Sequence, residues 1–206
     1  MVKLKIPFSL LSYNYTLDTK FLTPVELKNL LPHAWKTLIL DKDVVLPPIV
    51  LKNLEHLTCS HMPNLSFLPK CQQLHTLDLK GTIFKNLSSI RPGNIQTLNL
   101  SLTRVVHLHA FRDWKQLKSL SLLGTNVYNI ESLKYCVNLE RLSLLGTRVE
   151  DISPLQYCTH LKTLNLLGTK VKNINILLHC QELQTVKLGN FHLSSEFLKD
   201  VHFIRS

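Results

Sequence analysis

Three groups of residues in this 206-residue chain have types suited to chemistry. His56, Ser60, His61, His75, Asp78 and Lys80 lie close together in sequence. A Ser/His/Asp set can hydrolyse acyl bonds, the imidazole taking the serine proton and the carboxylate orienting the imidazole. The five cysteines, Cys59, Cys71, Cys136, Cys158 and Cys180, are possible zinc ligands. The Gly-Thr pairs at 81–82, 124–125, 146–147 and 168–169 have the small-residue character of loops that cradle phosphate. Spacing argues against each reading. No nucleophile elbow or oxyanion motif surrounds Ser60. No Gly-Lys-Ser/Thr sequence is present. A structural zinc needs four converging ligands, whereas Cys71, Cys136, Cys158 and Cys180 recur in register and run parallel, and Cys59 takes the place of a strand leucine. No catalytic residue, metal or cofactor is expected, and the chain is not expected to be an enzyme.

The elements that carry these residues repeat. LKSLSLLGTNVYNIESLKYCVN (117–138), LERLSLLGTRVEDISPLQYCTH (139–160) and LKTLNLLGTKVKNINILLHCQE (161–182) share one skeleton, and LQTVKLGNF (183–191) begins a fourth. The same opening recurs upstream at Ile95, Leu74 and Leu54, and in degenerate form at Trp35-x-x-Leu38-x-Leu40. Numbered from its first leucine as position 1, a repeat reads L-x-x-L-x-L-x-x-T-x-V-x-x-I-x-x-L-x-x-C. Positions 3 to 7 alternate outward and inward, the period of a strand with one buried face. A single repeat cannot cover its own apolar face, so consecutive coils must stack. This period and skeleton predict an α/β solenoid: a leucine-rich-repeat horseshoe with a parallel β-sheet on its concave face and short 3₁₀ or helical turns on its convex face. Residues 1–34 are expected to form an N-terminal cap, 35–190 the solenoid and 191–206 a C-terminal cap, in one continuous domain. A helix starting near Thr23-Pro24 and ending before Pro32 is expected in the first cap. Phe191, Leu193, Phe197, Leu198, Val201 and Phe203 are expected to cover the last coil, with Ser194 as a helix cap.

The row of threonines at position 9 (Thr82, Thr103, Thr125, Thr147, Thr169) is expected to satisfy backbone groups at the turn out of each strand. The cysteines fit as small core residues, and an odd number of free thiols fits a reducing compartment. No apolar run is long enough to cross a bilayer, and the N-terminus lacks a signal-peptide cleavage site, so an intracellular location or delivery into a host cell without a classical signal peptide is expected. The net charge of +10 is dispersed, with no run of five or six like charges. It favours acidic partners.

The stretch Leu139 to Leu155, L-x-x-L-x-L-x-x-T-x-V-x-D-I-S-P-L, resembles the 22-residue repeats of bacterial internalins. It is also similar to the leucine-rich regulatory subunit of protein phosphatase-1. Both resemblances imply a protein partner gripped by the concave sheet. The chain lacks the wall and membrane attachment signals of surface internalins, and its outward strand residues are not the acidic and aromatic set of the phosphatase subunit. An effector of an intracellular bacterium is the relative that best fits these departures.

Outward positions 3 and 5 supply mostly Ser, Thr and Asn, with Arg141 and Asn165 among them. At position 7, Leu123, Leu145 and Leu167 are expected in a row on the solvent side, with Leu102 nearby. Two readings of this row stand: an apolar strip for a partner, or leucines tucked against the turn and copied by duplication. Arg104, Arg148 and Lys170 at position 10 would form a basic rim. The function expected is a non-catalytic protein-interaction module or adaptor, acting as a monomer on a partner with an acidic flank. The alternative is a nucleic-acid-binding solenoid using the dispersed Lys and Arg. The concave face lacks the basic-plus-aromatic stripe of single-strand binders, which favours the protein reading.

Overall fold

The computed structural model describes residues 16–18, 36–40, 48–60, 65–90, 93–189 and 202–205. Ten short strands form one sheet in chain order: β1 (Thr16–Asp18), β2 (Thr37–Leu40), β3 (His56–Cys59), β4 (Thr76–Asp78), β5 (Thr97–Asn99), β6 (Ser119–Ser121), β7 (Arg141–Ser143), β8 (Thr163–Asn165), β9 (Thr185–Leu188) and β10 (His202–Arg205). Every neighbouring pair is parallel. The register follows the repeat: Leu38, Leu57, Leu77, Leu98, Leu120, Leu142, Leu164 and Val186 are successive partners, all at most 2% exposed. Leu40 pairs with Cys59, which takes the place of a strand leucine and is equally buried.

β1 lies within residues 1–34 and β10 within 191–206, so the sheet runs into both segments expected as caps. The expected helix at 23–31 and the apolar set Phe191 to Val201 fall outside the described residues.

Each coil leaves its strand through a turn, crosses the core with positions 11 and 14, and makes a short helix before returning. Among the described residues one α-helix, α1 (Pro48–Asn53), follows β2; the later coils use 3₁₀ turns such as Glu131–Tyr135, Ser153–Tyr157 and Asn175–His179. A coil this short leaves no chain for a longer helix. Pro154 sits near the start of its turn, where its missing N–H costs nothing. The side chain at position 13 closes the backbone as it enters these turns. Asn86, Asn129, Asp151 and Asn173 each accept the backbone N–H two residues on, at 2.7–3.0 Å. In the coil starting at Ile95 that position is His107, which makes no such bond.

The threonine row behaves as expected. In all five turns the position-9 hydroxyl donates to the carbonyl of position 6 at 2.6–2.8 Å, the same oxygen that accepts the backbone N–H of that threonine. Glycine precedes four of the five because the turn needs positive φ, for example +64° at Gly124. Leu102 fills that place in the coil starting at Ile95, at φ +58°, alone in this conformation among the described non-glycine residues. A leucine there carries about 1–2 kcal/mol of strain.

The thiols line the return path. Cys71, Cys136, Cys158 and Cys180 are buried, and the last three point at carbonyls of the preceding coil at 3.5–3.7 Å. In the coil starting at Ile95 the larger Phe111 and Trp114 replace the leucine of position 17 and the cysteine of position 20, packed with ring centroids 5.1 Å apart. Burial raises the thiol pKa from 9.0 to about 12 for Cys59, Cys71, Cys136 and Cys158 and to about 11 for Cys180. Thiols held this firmly protonated are poor nucleophiles and poor metal ligands.

Candidate functional site

Strand alternation sends positions 3 and 5 out of the core. The register places them in two continuous rows, from His56 to Thr185 and from Thr58 to Lys187. Over β6 to β9 these rows line a shallow dish of about 360 Å³. Its floor is hydroxyl-rich, with Ser119, Ser121, Ser143 and Thr163, and its cations are Arg141 and Lys187. Lys187 has no carboxylate partner among the described residues, and Arg141 reaches Glu140 only at 4.0 Å. Asn165, also in the dish, spends its Oδ1 on the N–H of Leu167 at 3.1 Å, closing the strand end.

One flank of the sheet is stitched by ion pairs. Lys162 Nζ lies 3.1 Å from Glu140 and 3.7 Å from Glu182, which also binds His160 at 2.6 Å. The Lys162 hydrogen bond lowers the Glu140 pKa, and the His160 bond lowers that of Glu182. These acids are engaged with one another's cations along the flank, which leaves Arg141 and Lys187 as the charges of the dish.

The position-7 leucines are half-buried, midway between the two readings made from sequence. The strands end at position 5, so alternation no longer decides where position 7 points; the chain has already entered its turn. Leu123, Leu145 and Leu167 accept the position-8 N–H of the preceding coil at 2.7–2.8 Å. Leu102 is 52% exposed. Its Cδ2 sits 2.6 Å from where a β-carbon at Gly124 would be, so it lies against the glycine row.

The three rim cations have different surroundings. Lys170 pairs with Glu150 at 3.3 Å. Arg148 is exposed. Arg104 lines a different groove, on the back of the molecule. Of the site residues named from sequence, Arg141 and Asn165 share the dish, while the leucines and remaining cations do not line it. Lys187 belongs there too. It is visible in the sequence as an outward position 5, but its truncated repeat hides its weight.

Among the described residues, Ser60, His56, His75 and Asp78 make no hydrogen bond with one another. Asp78 accepts the Lys80 N–H at 2.8 Å and the Asn99 side-chain amide at 3.0 Å, and Ser60 Oγ points at the Leu40 carbonyl at 3.5 Å. His61 lies outside the described residues. Among the described residues, no three His, Cys, Asp or Glu side chains are grouped to hold a metal. No described helix is long and apolar enough to cross a membrane.

No family model matches the chain, and no curated protein matches it. Solved structures do. Internalin C2 from Listeria monocytogenes superposes with a TM-score of 0.68 at 26% identity, covering 77% of this chain and 73% of that one. The fold is a leucine-rich-repeat solenoid. An internalin (inlF) from the same organism aligns at TM-score 0.66 and 21% identity over 72% of this chain; this solenoid spans 45% of that chain's length. A chain of the Toll–Spatzle complex from Drosophila shares the fold at TM-score 0.59 and 16% identity, covering 77% of this chain and 24% of that one. The solenoid's parallel strands and 3₁₀ turns are those expected from its internalin-like repeats.

Proposed function

We propose that this solenoid is a non-catalytic interaction module that docks one protein partner on its concave face. The observation behind this reading is the dish over β6 to β9: hydroxyls that can bond to any backbone, with Arg141 and Lys187 set among them. Internalin-like repeats support a protein-interaction role in general. The dish cations support a partner that presents carboxylates. An open, shallow surface excludes water poorly, which suits docking better than bond cleavage. The half-buried Leu123, Leu145 and Leu167 extend the contact along the turn edge, and Leu102 adds exposed apolar area beside them. Action in a reducing cytosol, as an adaptor or as an effector delivered to a host cell, is consistent with five unpaired thiols.

The test is titration of a protein captured from cell extract against the solenoid and its variants. Arg141→Glu with Lys187→Glu lowers affinity by roughly a hundred-fold, because both charges then face the partner's carboxylates. Leu123→Ser, Leu145→Ser and Leu167→Ser together give a smaller loss, since these side chains are half covered already. Unchanged affinity in the charge-reversed variant refutes the concave-face reading.

A further inference from the structure

The back of the solenoid carries a second surface of different chemistry. Two adjoining grooves, of about 490 and 410 Å³, cross the coils that start at Leu74, Ile95 and Leu117. They are continuous through Val106, His107 and His109, which line both. The cations along them are Lys85, Arg104, Arg112 and Lys134. Lys85, Arg104 and Arg112 have no carboxylate partner among the described residues. The acid lining the grooves is Glu131, and Lys134 holds its carboxylate.

Aromatic rings alternate with these charges. His107 and His109 stack with planes 8° apart, and Tyr128 meets the His107 ring edge-on at 6.2 Å. Tyr128 is 54% exposed. The Arg112 guanidinium lies 5.6 Å from the centre of the Tyr135 ring, which holds it in place while leaving its N–H groups free.

Folding does not require this set. Positions 11, 14, 17 and 20 fill the core, whereas these groups stand at positions 10, 12, 13, 15, 18 and 19. His107 gives the contrast within the molecule: four other coils use position 13 to cap their turn with Asn or Asp, and this coil gives up the cap for a ring. In the coil starting at Leu139, positions 12 and 13 are Glu150 and Asp151, so the basic stretch ends there.

We infer that this back groove binds single-stranded nucleic acid, with bases stacking on Tyr128 and the histidine pair and phosphates meeting Lys85, Arg104 and Arg112. Unpaired cations interleaved with accessible rings are what a flexible polyanion with flat bases needs. Continuity over three coils fits a strand rather than one nucleotide. This site lies apart from the concave dish and does not depend on its function.

The test is fluorescence anisotropy with a labelled oligouridylate of about 12 nucleotides. Binding is expected at about 50 mM salt and weakens roughly twenty-fold by about 200 mM, as for some three phosphate contacts. Tyr128→Ala weakens it roughly ten-fold, and Lys85→Ala, Arg104→Ala and Arg112→Ala each make the salt dependence shallower. The concave Arg141→Glu/Lys187→Glu variant binds as the parent does. All variants are checked by thermal melting, and a folded Tyr128→Phe variant retains affinity because the ring remains. Absence of binding at low salt, equal affinity for a duplex of the same length, or an unaltered Tyr128→Ala variant overturns the inference.

Discussion

Raising the pH above 9 is expected to unfold the solenoid steeply, with a midpoint at about pH 10 to 11. Five thiols share the cause. Burial holds four of them protonated up to about pH 12 and Cys180 to about 11, against 9.0 for an exposed cysteine. Below pH 9 folded and unfolded chains bind the same thiol protons, and this contribution to stability is fully present. Above it the unfolded chain releases protons that the folded chain keeps. Stability then falls by about 1.4 kcal/mol per thiol for each pH unit until the folded thiols titrate in turn. Five together approach about 7 kcal/mol per unit, against a total of about 5–15 kcal/mol for a domain. Circular dichroism at fixed temperature across this range measures the slope. A variant with Cys136, Cys158 and Cys180 changed to Ala starts less stable, yet its stability declines less than half as steeply with pH. Equal slopes in parent and variant would show that thiol burial does not control the alkaline limit.

Leu142→Ala is the second large effect. This side chain is 2% exposed and sits between Leu120 and Leu164 in register, covered by a coil on each side. Removing it leaves a cavity between stacked coils that can collapse only by bending the sheet, at a cost of about 3 kcal/mol. Each coil is held mainly by its two neighbours, so the loss weakens both interfaces. Leu145→Ala removes the same atoms from the half-buried turn row and costs about half as much. Urea unfolding of the pair measures the difference, and equal losses would mean that position 7 is as deep as position 4.

The stack is legible in the sequence because its determinants repeat. The leucines of positions 4 and 6, the threonine hydroxyls of position 9 and the register of the sheet all follow from a spacing that recurs until it cannot be missed. What breaks the repeat is illegible. Leu102 reads as one more leucine near the apolar row, yet it sits in the glycine place with a left-handed backbone. The position-7 row reads as solvent-facing when alternation is carried past the strand end into the turn. His107 carries no signal of its own, since its meaning is the absence of a cap that neighbouring coils possess. Arg104 shares position 10 with Arg148 and Lys170, which suggests a common rim, although the chain carries it round to the back groove. Periodicity finds the residues that hold coils together, while the candidate binding groups lie where consecutive coils differ.

Under the proposed function the protein partner sits on the concave face. Photo-crosslinking tests it most directly, with a benzophenone side chain introduced singly at Ser121, Ser143, Tyr157 or Leu178 and irradiation in the presence of the captured protein. Ser121 and Ser143 stand on the floor of the dish, whereas Tyr157 and Leu178 are exposed on the 3₁₀ turns opposite. Adducts are expected from Ser121 and Ser143 and none from Tyr157 or Leu178. Adducts from Tyr157 or Leu178 with none from the dish would contradict the concave-face reading.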